Sequence, residues 1–198
     1  MAGKFIVLYG INNIGKTTQA KMLVEHMLRK GLRADYIKYP VYDLNPSGHF
    51  LDRVLRSQKQ EISEEELQMW FAVNRIQFQP NIKKKLSLDI NLVAEDYIGT
   101  SIAWGSVKGA NEEWLKSINS RLLKEDIGIL LDGQRFVFAQ ENVHIHETNE
   151  KLIEKVRRKH LELAIAFGWH IVNANQVREK VFNDIMTILR ENKIVEFI

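Results

Sequence analysis

The sequence predicts an α/β fold of three layers, with a central parallel sheet of about five strands flanked by helices. Three observations carry that prediction. Short, nearly continuous apolar runs recur at residues 5–9, 90–95 and 127–132, and helix-patterned stretches separate them. The third is length. The 198 residues suffice for one sizeable core, and no internal repeat or low-complexity linker divides them. A single domain over residues 1–198 is expected, with a short lid at about 133–150.

The elements follow in order. Residues 5–9 form the first strand, and 16–30 a helix that Gly31 closes as a C-terminal cap. Residues 34–39 are a second strand, stopped by Pro40. A loop follows, then a short helix over 50–56. Ser63 with Glu66 three residues on is a capping box, so a long helix starts there and carries Leu67, Trp70, Phe71 and Asn74. Pro80 is expected to kink or end it. The third strand, 90–95, finishes on Glu95. A helix at about 112–123, a strand at 127–132, a long helix ending before Gly168, a strand at 170–174 and a last helix complete the pattern.

Composition narrows the function classes. A formal charge of +3 suits an anionic ligand but is too weak and dispersed to imply nucleic acid. There is no cysteine, which excludes a disulfide scaffold and thiolate zinc sites. No run approaches the ~18 apolar residues of a membrane span. A cytoplasmic protein without membrane or nucleic-acid partners is expected.

The most specific stretch is "GINNIGKTT", residues 10–18, directly behind the first strand. Gly10, Gly15, Lys16 and Thr17 satisfy G-x-x-x-x-G-K-[ST], a phosphate-binding P-loop. Glycines allow the backbone angles that turn successive N–H groups inward on an anion. Asn13, Ile14, Gly15 and Thr18 contribute to that nest. Lys16 carries a positive charge toward the β- and γ-phosphates, and Thr17 offers a hydroxyl to Mg²⁺. The helix opening there points its positive end at the same place. The motif predicts ATP with Mg²⁺ and says nothing of the acceptor.

The acceptor comes from a resemblance. "GINNIGKTT", "KYP", "FAVNRIQFQPNIKKKL", "LVAEDY", "RRKHLELA" and "VNANQVREKVFNDI" resemble, in order, the signatures of the thymidylate kinase family. The resemblance implies a P-loop NTPase fold and transfer of the γ-phosphoryl group of ATP to a deoxynucleotide such as dTMP. It also implies a homodimer. On it, Phe71 stacks on the acceptor base and Arg75 reaches base and phosphate. Independently, these two are four apart and share a helix face, where a ring beside a planar cation can clamp a base. On the residues alone, a core Trp70 and Phe71 with a surface Arg75 is the competing reading. The resemblance further implies acceptor contacts for Pro40, Thr100, Ser101 and Trp104. Glu95 matches the acid of the family's Asp-Arg-Tyr motif, at a strand end where such sheets bind ligands, and is expected to act in catalysis and around the metal.

Several positions depart from the family pattern. Asn12 stands at an acidic P-loop position, and Asp96 replaces the arginine of Asp-Arg-Tyr. Tyr42 or Asp43 stands where another arginine is expected. In the lid, His144 lies at or beside an arginine position and His146 follows. One arginine near the migrating phosphoryl can matter by ~10³ or more. Arg53, Lys108, Arg135 and Lys151 are the candidate substitutes, and the run Arg157-Arg158-Lys159 after the lid could approach phosphate. Asp96, among the acceptor residues, is expected to turn toward a metal, a cation such as Arg75, or a sugar hydroxyl. Three readings stay open: a thymidylate-kinase-like monophosphate kinase, a deoxynucleoside kinase in which Glu95 activates a 5′-hydroxyl, and a catalytically weak nucleotide-binding protein.

Overall fold

A computed structural model describes residues 2–57, 60–136 and 150–194. Among them, β1 (Phe5–Tyr9), β2 (Ala34–Lys38), β3 (Asn91–Glu95), β4 (Ile127–Asp132) and β5 (His170–Asn173) form one sheet, in the order β2-β3-β1-β4-β5. Every pairing is parallel. The helices are α1 (Lys16–Arg29), α2 (Ser47–Arg56), α3 (Glu64–Ser87), α4 (Ile98–Val107), α5 (Glu112–Asn119), α6 (Glu150–Phe167) and α7 (Arg178–Glu191). The α/β architecture read from the sequence is the one found.

Strands β1 and β3 lie inside the sheet and are buried along their whole length, which is why their sequences do not alternate. The register sets Leu8 beside Glu95, and Lys38 beside Glu95 on the other side. Three strand ends and the P-loop therefore meet at one edge. On the far side, Trp169 stacks on Tyr9 with ring centroids 3.8 Å apart. That approach needs a glycine: a Cβ at Gly128 would lie 2.3 Å from the Trp169 ring.

Four expectations need correction. Helix α3 runs through Pro80 to Ser87. Pro80 and Ile76 are both exposed, so the carbonyl that loses its helical partner is on the solvent side. Helix α2 begins at Ser47, not at residue 50. Buried Ser47 accepts a hydrogen bond from Asn74 Nδ2 at 3.0 Å, which anchors the extra turn to α3. Helix α5 stops at Asn119, several residues short of 123. Helix α4 is not legible in the sequence: it has two glycines, β-branched residues and no side-chain cap. Its buried Gly99, Ser101, Ile102, Ala103 and Gly105 pack against neighbouring helices, and tertiary contact overrides propensity. No described helix is long and apolar enough to cross a membrane.

One core group couples the fold to pH. His160, on the inner side of α6, is buried, and its Nδ1 lies 2.9 Å from the Val156 carbonyl. Burial pushes the imidazole down from its ordinary 6.5 to about 4. The folded chain holds this proton less readily than the unfolded one. The contribution to stability is thus complete above the unfolded value and is lost as pH falls from about 6.5 toward 4. The amount is on the order of 3 kcal/mol. His160→Gln is expected to flatten stability over that window. Urea unfolding of both proteins at neutral pH and near pH 4 measures this, and parallel losses would contradict it.

Candidate active site

The P-loop links β1 to α1 and carries the backbone geometry its sequence demands. Gly15, at the N-cap, has φ 95°, and Asn13 has φ 61°. The Lys16 side chain is buried, and its Nζ donates to the carbonyls of Gly10 and Ile11, each at 2.9 Å. Asp96 lies 3.6 Å from the same nitrogen.

Thr17 Oγ1 donates to Glu95 Oε2 at 2.7 Å. The other oxygen, Oε1, accepts from the Tyr36 hydroxyl and pairs with Lys38 Nζ at 3.3 Å. Burial and the Glu95 hydrogen bond push the Tyr36 phenol up, so it stays a donor. The buried carboxylate of Glu95 is therefore oriented by three groups from two elements.

Asp96 has φ 61°, and its Oδ1 accepts from Thr100 Oγ1 at 2.9 Å. Burial raises its carboxyl, while Lys16 pulls the other way. Its cation is thus Lys16, and its second partner is Thr100 rather than Arg75.

Arg75 is buried on α3, not at the surface. Its Nη1 donates to Ser101 Oγ and Asn119 Oδ1, both at 3.1 Å. The guanidinium lies 6.0 Å from the ring centroids of Phe71 and of Tyr97. Burial lowers its affinity for its proton, and the neighbouring tyrosines oppose that. Its Nε is buried without a hydrogen-bond partner among the described residues, as is the Tyr39 hydroxyl.

Asn13, Ile14, Gly15, Lys16, Thr17 and Thr18 share one cavity of about 920 Å³ with the acceptor-side residues Pro40, Phe71, Arg75, Asp96, Thr100, Ser101 and Trp104, and with Glu95. Gly10 lies behind the loop and holds Lys16 through its carbonyl.

Of the substitute cations, Lys108 reaches the wall but pairs with Glu64 at 3.2 Å. Arg53 lies over the Phe50 ring at 5.3 Å and Arg135 pairs with Glu150, so both are engaged elsewhere. Lys151 is exposed at the start of α6 and does not line the cavity. Arg157 grips Asp132 with two bonds of 2.7 and 2.9 Å, and Lys159 pairs with Glu112 at 2.7 Å. That run braces helices. His144 and His146, and most of the expected lid, lie outside the described residues.

Sequence reading missed Gln68, Asn119, Tyr36 and Lys38. Gln68 accepts from Ser101 Oγ and sits seven residues before Arg75, a helical spacing that could have flagged it. Asn119 arrives from α5 with no local signal.

The thymidylate kinase family model matches residues 8–185. The chain belongs to the thymidylate kinase family. The human thymidylate kinase is 29% identical over 197 residues, spanning 97% of this chain and 92% of that protein. The "Probable thymidylate kinase" of Methanocaldococcus jannaschii is 32% identical over 192 residues, 94% of this chain and 95% of its own. A solved thymidylate kinase structure from Candida albicans superposes with a TM-score of 0.85 at 20% identity, covering 98% of this chain and 93% of its own. That last likeness shows the fold. Family membership makes the chain an ATP-dependent phosphotransferase, and a thymidylate kinase fold carries the cavity described above.

Proposed function

We propose that the protein transfers the γ-phosphoryl group of ATP to the 5′-phosphate of dTMP or a closely related deoxynucleotide, in the cytoplasm. The observation that carries this reading is one cavity lined both by the P-loop and by buried Arg75 beside the Phe71 ring. The acceptor base would stack on Phe71, with Arg75 fixing its edge, and Trp104, Thr100 and Ser101 around the sugar. In the transfer, an anionic oxygen of the acceptor phosphate forms the new P–O bond. The bond between the γ-phosphorus and the bridging oxygen breaks, and ADP leaves. No proton has to be abstracted.

The P-loop residues fit a magnesium nucleotide. Thr17 Oγ1 keeps a lone pair for a cation while its proton rests on Glu95, and both are the hard oxygen donors that Mg²⁺ takes. When bound, Mg²⁺ neutralises charge across the β- and γ-phosphates. Lys16 must leave the Gly10 and Ile11 carbonyls to reach those phosphates, and Asp96 then loses its cation. Gly15 to Thr18 supply N–H groups at the positive end of α1.

Glu95 supports the monophosphate reading over the nucleoside one. Both of its oxygens already accept from donors, which suits a positioning carboxylate better than a base awaiting a hydroxyl proton. An assay of dTMP, dUMP and thymidine with ATP and Mg²⁺ tests this. Phosphorylation of dTMP is expected. Turnover of thymidine alone would install the nucleoside kinase, and binding without any turnover would make this a nucleotide-holding protein.

A homodimer belongs to the same proposal. Met69, Val73 and Ile76 are exposed at spacings of four and three, one apolar stripe along the outer face of α3. Sedimentation velocity is the direct measurement, and a monomer at micromolar concentration would remove the dimer from the reading.

A further inference from the structure

We propose that Lys38 is the cation that receives the acceptor's phosphate, in place of the arginines this chain lacks. The inference rests on the monophosphate reading above and names a residue within it.

The problem is one of charge. At the edge where a phosphate must sit, Glu95 and Asp96 bring two carboxylates within reach of the P-loop. Lys16 pairs with Asp96 and Lys38 with Glu95, and the triphosphate claims Lys16. A dianionic acceptor arriving at that edge would meet net negative charge, in a partly buried place where repulsion is poorly screened. Some cation besides Lys16 is required there.

Among the described residues, five other cations line the cavity, and geometry removes them. Arg75 is buried between Phe71 and Tyr97, and its Nη1 already bonds Ser101 and Asn119. Lys108 pairs with Glu64, tying the end of α4 to the first turn of α3. Lys21 lies over the Tyr36 ring at 5.8 Å, one turn further along α1. Arg178 opens α7, and its guanidinium pairs with Glu179 at 2.6 Å. Lys16 serves the loop itself.

Lys38 remains, and its position is specific. It ends β2, in register with Glu95 and two residues before Pro40. Tyr36 and Lys38 stand two apart on the strand, so they share a face and meet the same Glu95 oxygen. The ammonium is 3.3 Å from Oε1, while Thr17 holds Oε2. It therefore lies one carboxylate away from the Thr17 hydroxyl. Its side chain is 46% exposed, so the group can turn from Glu95 to an incoming phosphate without unpacking the core. Glu95 would keep Tyr36 and Thr17 when it does.

The test compares Lys38→Met and Lys38→Arg with the wild type, by calorimetric titration of dTMP and of thymidine and by steady-state kinetics. Lys38→Met is expected to weaken dTMP about ten- to hundredfold, the range for a hydrogen bond to a charged group. Thymidine affinity should stay within about twofold, because it lacks the phosphate. It also reports that the base site is folded. Lys38→Arg should recover most of the dTMP affinity. Equal losses for dTMP and thymidine would overturn the assignment, since Lys38 would then act only through Glu95 and the fold. Unchanged dTMP affinity in Lys38→Met would overturn it too, while leaving the monophosphate reading standing. A wild type that binds dTMP no more tightly than thymidine would overturn both.

Discussion

Lys16→Ala is expected to lower kcat by about three orders of magnitude, the scale on which a cation at a migrating phosphoryl group acts. The same change should also cost stability. In the structure Lys16 sits 3.6 Å from Asp96 and bonds the Gly10 and Ile11 carbonyls. Removing it strands a carboxylate whose burial already disfavours its charged form. The two effects separate in a double variant. Asp96→Asn on the Lys16→Ala background should restore much of the lost melting temperature, because it removes the stranded charge. It should restore none of the transfer rate, because the cation is still missing. Single-turnover kinetics beside thermal unfolding of the single and double variants read both. Retention of most of the activity in Lys16→Ala would remove this lysine from the phosphate site.

The sequence makes this half of the site legible because its chemistry is local. The P-loop needs given residue types within eight consecutive positions, between a strand and a helix, and the backbone at Asn13 and Gly15 takes the left-handed angles that the motif requires. Glu95 is equally readable: an acid ending an apolar strand must face the sheet edge. The other half is assembled from distance. Arg75 meets Ser101 across 26 residues and Asn119 across 44, and its burial depends on α4, the helix whose glycines and uncapped start hide it. Propensity cannot announce a helix held by its neighbours. The Lys16–Asp96 pair is hidden for a different reason. The departure from the family pattern marks Asp96 as unusual, but only the left-handed backbone there and the register of β3 beside β1 say which cation it meets. Lys38 likewise reads as an ordinary strand-end charge until its register with Glu95 is known.

Arg75→Ala carries the other large expectation, and it falls on the acceptor alone. The guanidinium is held by Ser101 and Asn119 and flanked by Phe71 and Tyr97, so its plane is set before any ligand arrives. A fixed planar donor is worth most to an acceptor base with a matching edge. The dTMP KM should rise about a hundredfold or more, with the ATP KM within about twofold, since the P-loop wall is untouched. Truncation also leaves a void and frees the buried oxygens of Ser101 and Asn119, so a lower melting temperature accompanies it. Arg75→Lys separates binding from packing. It keeps a charge and most of the volume but loses the planar fork, so it should regain stability while recovering little of the dTMP affinity. Initial rates with dTMP varied at saturating ATP, then the reverse, give both constants for each variant. If the lysine variant restores stability and dTMP affinity together, or if the alanine variant melts early with its dTMP KM unchanged, Arg75 is a buried brace between α3, α4 and α5, and the acceptor must be read by other groups.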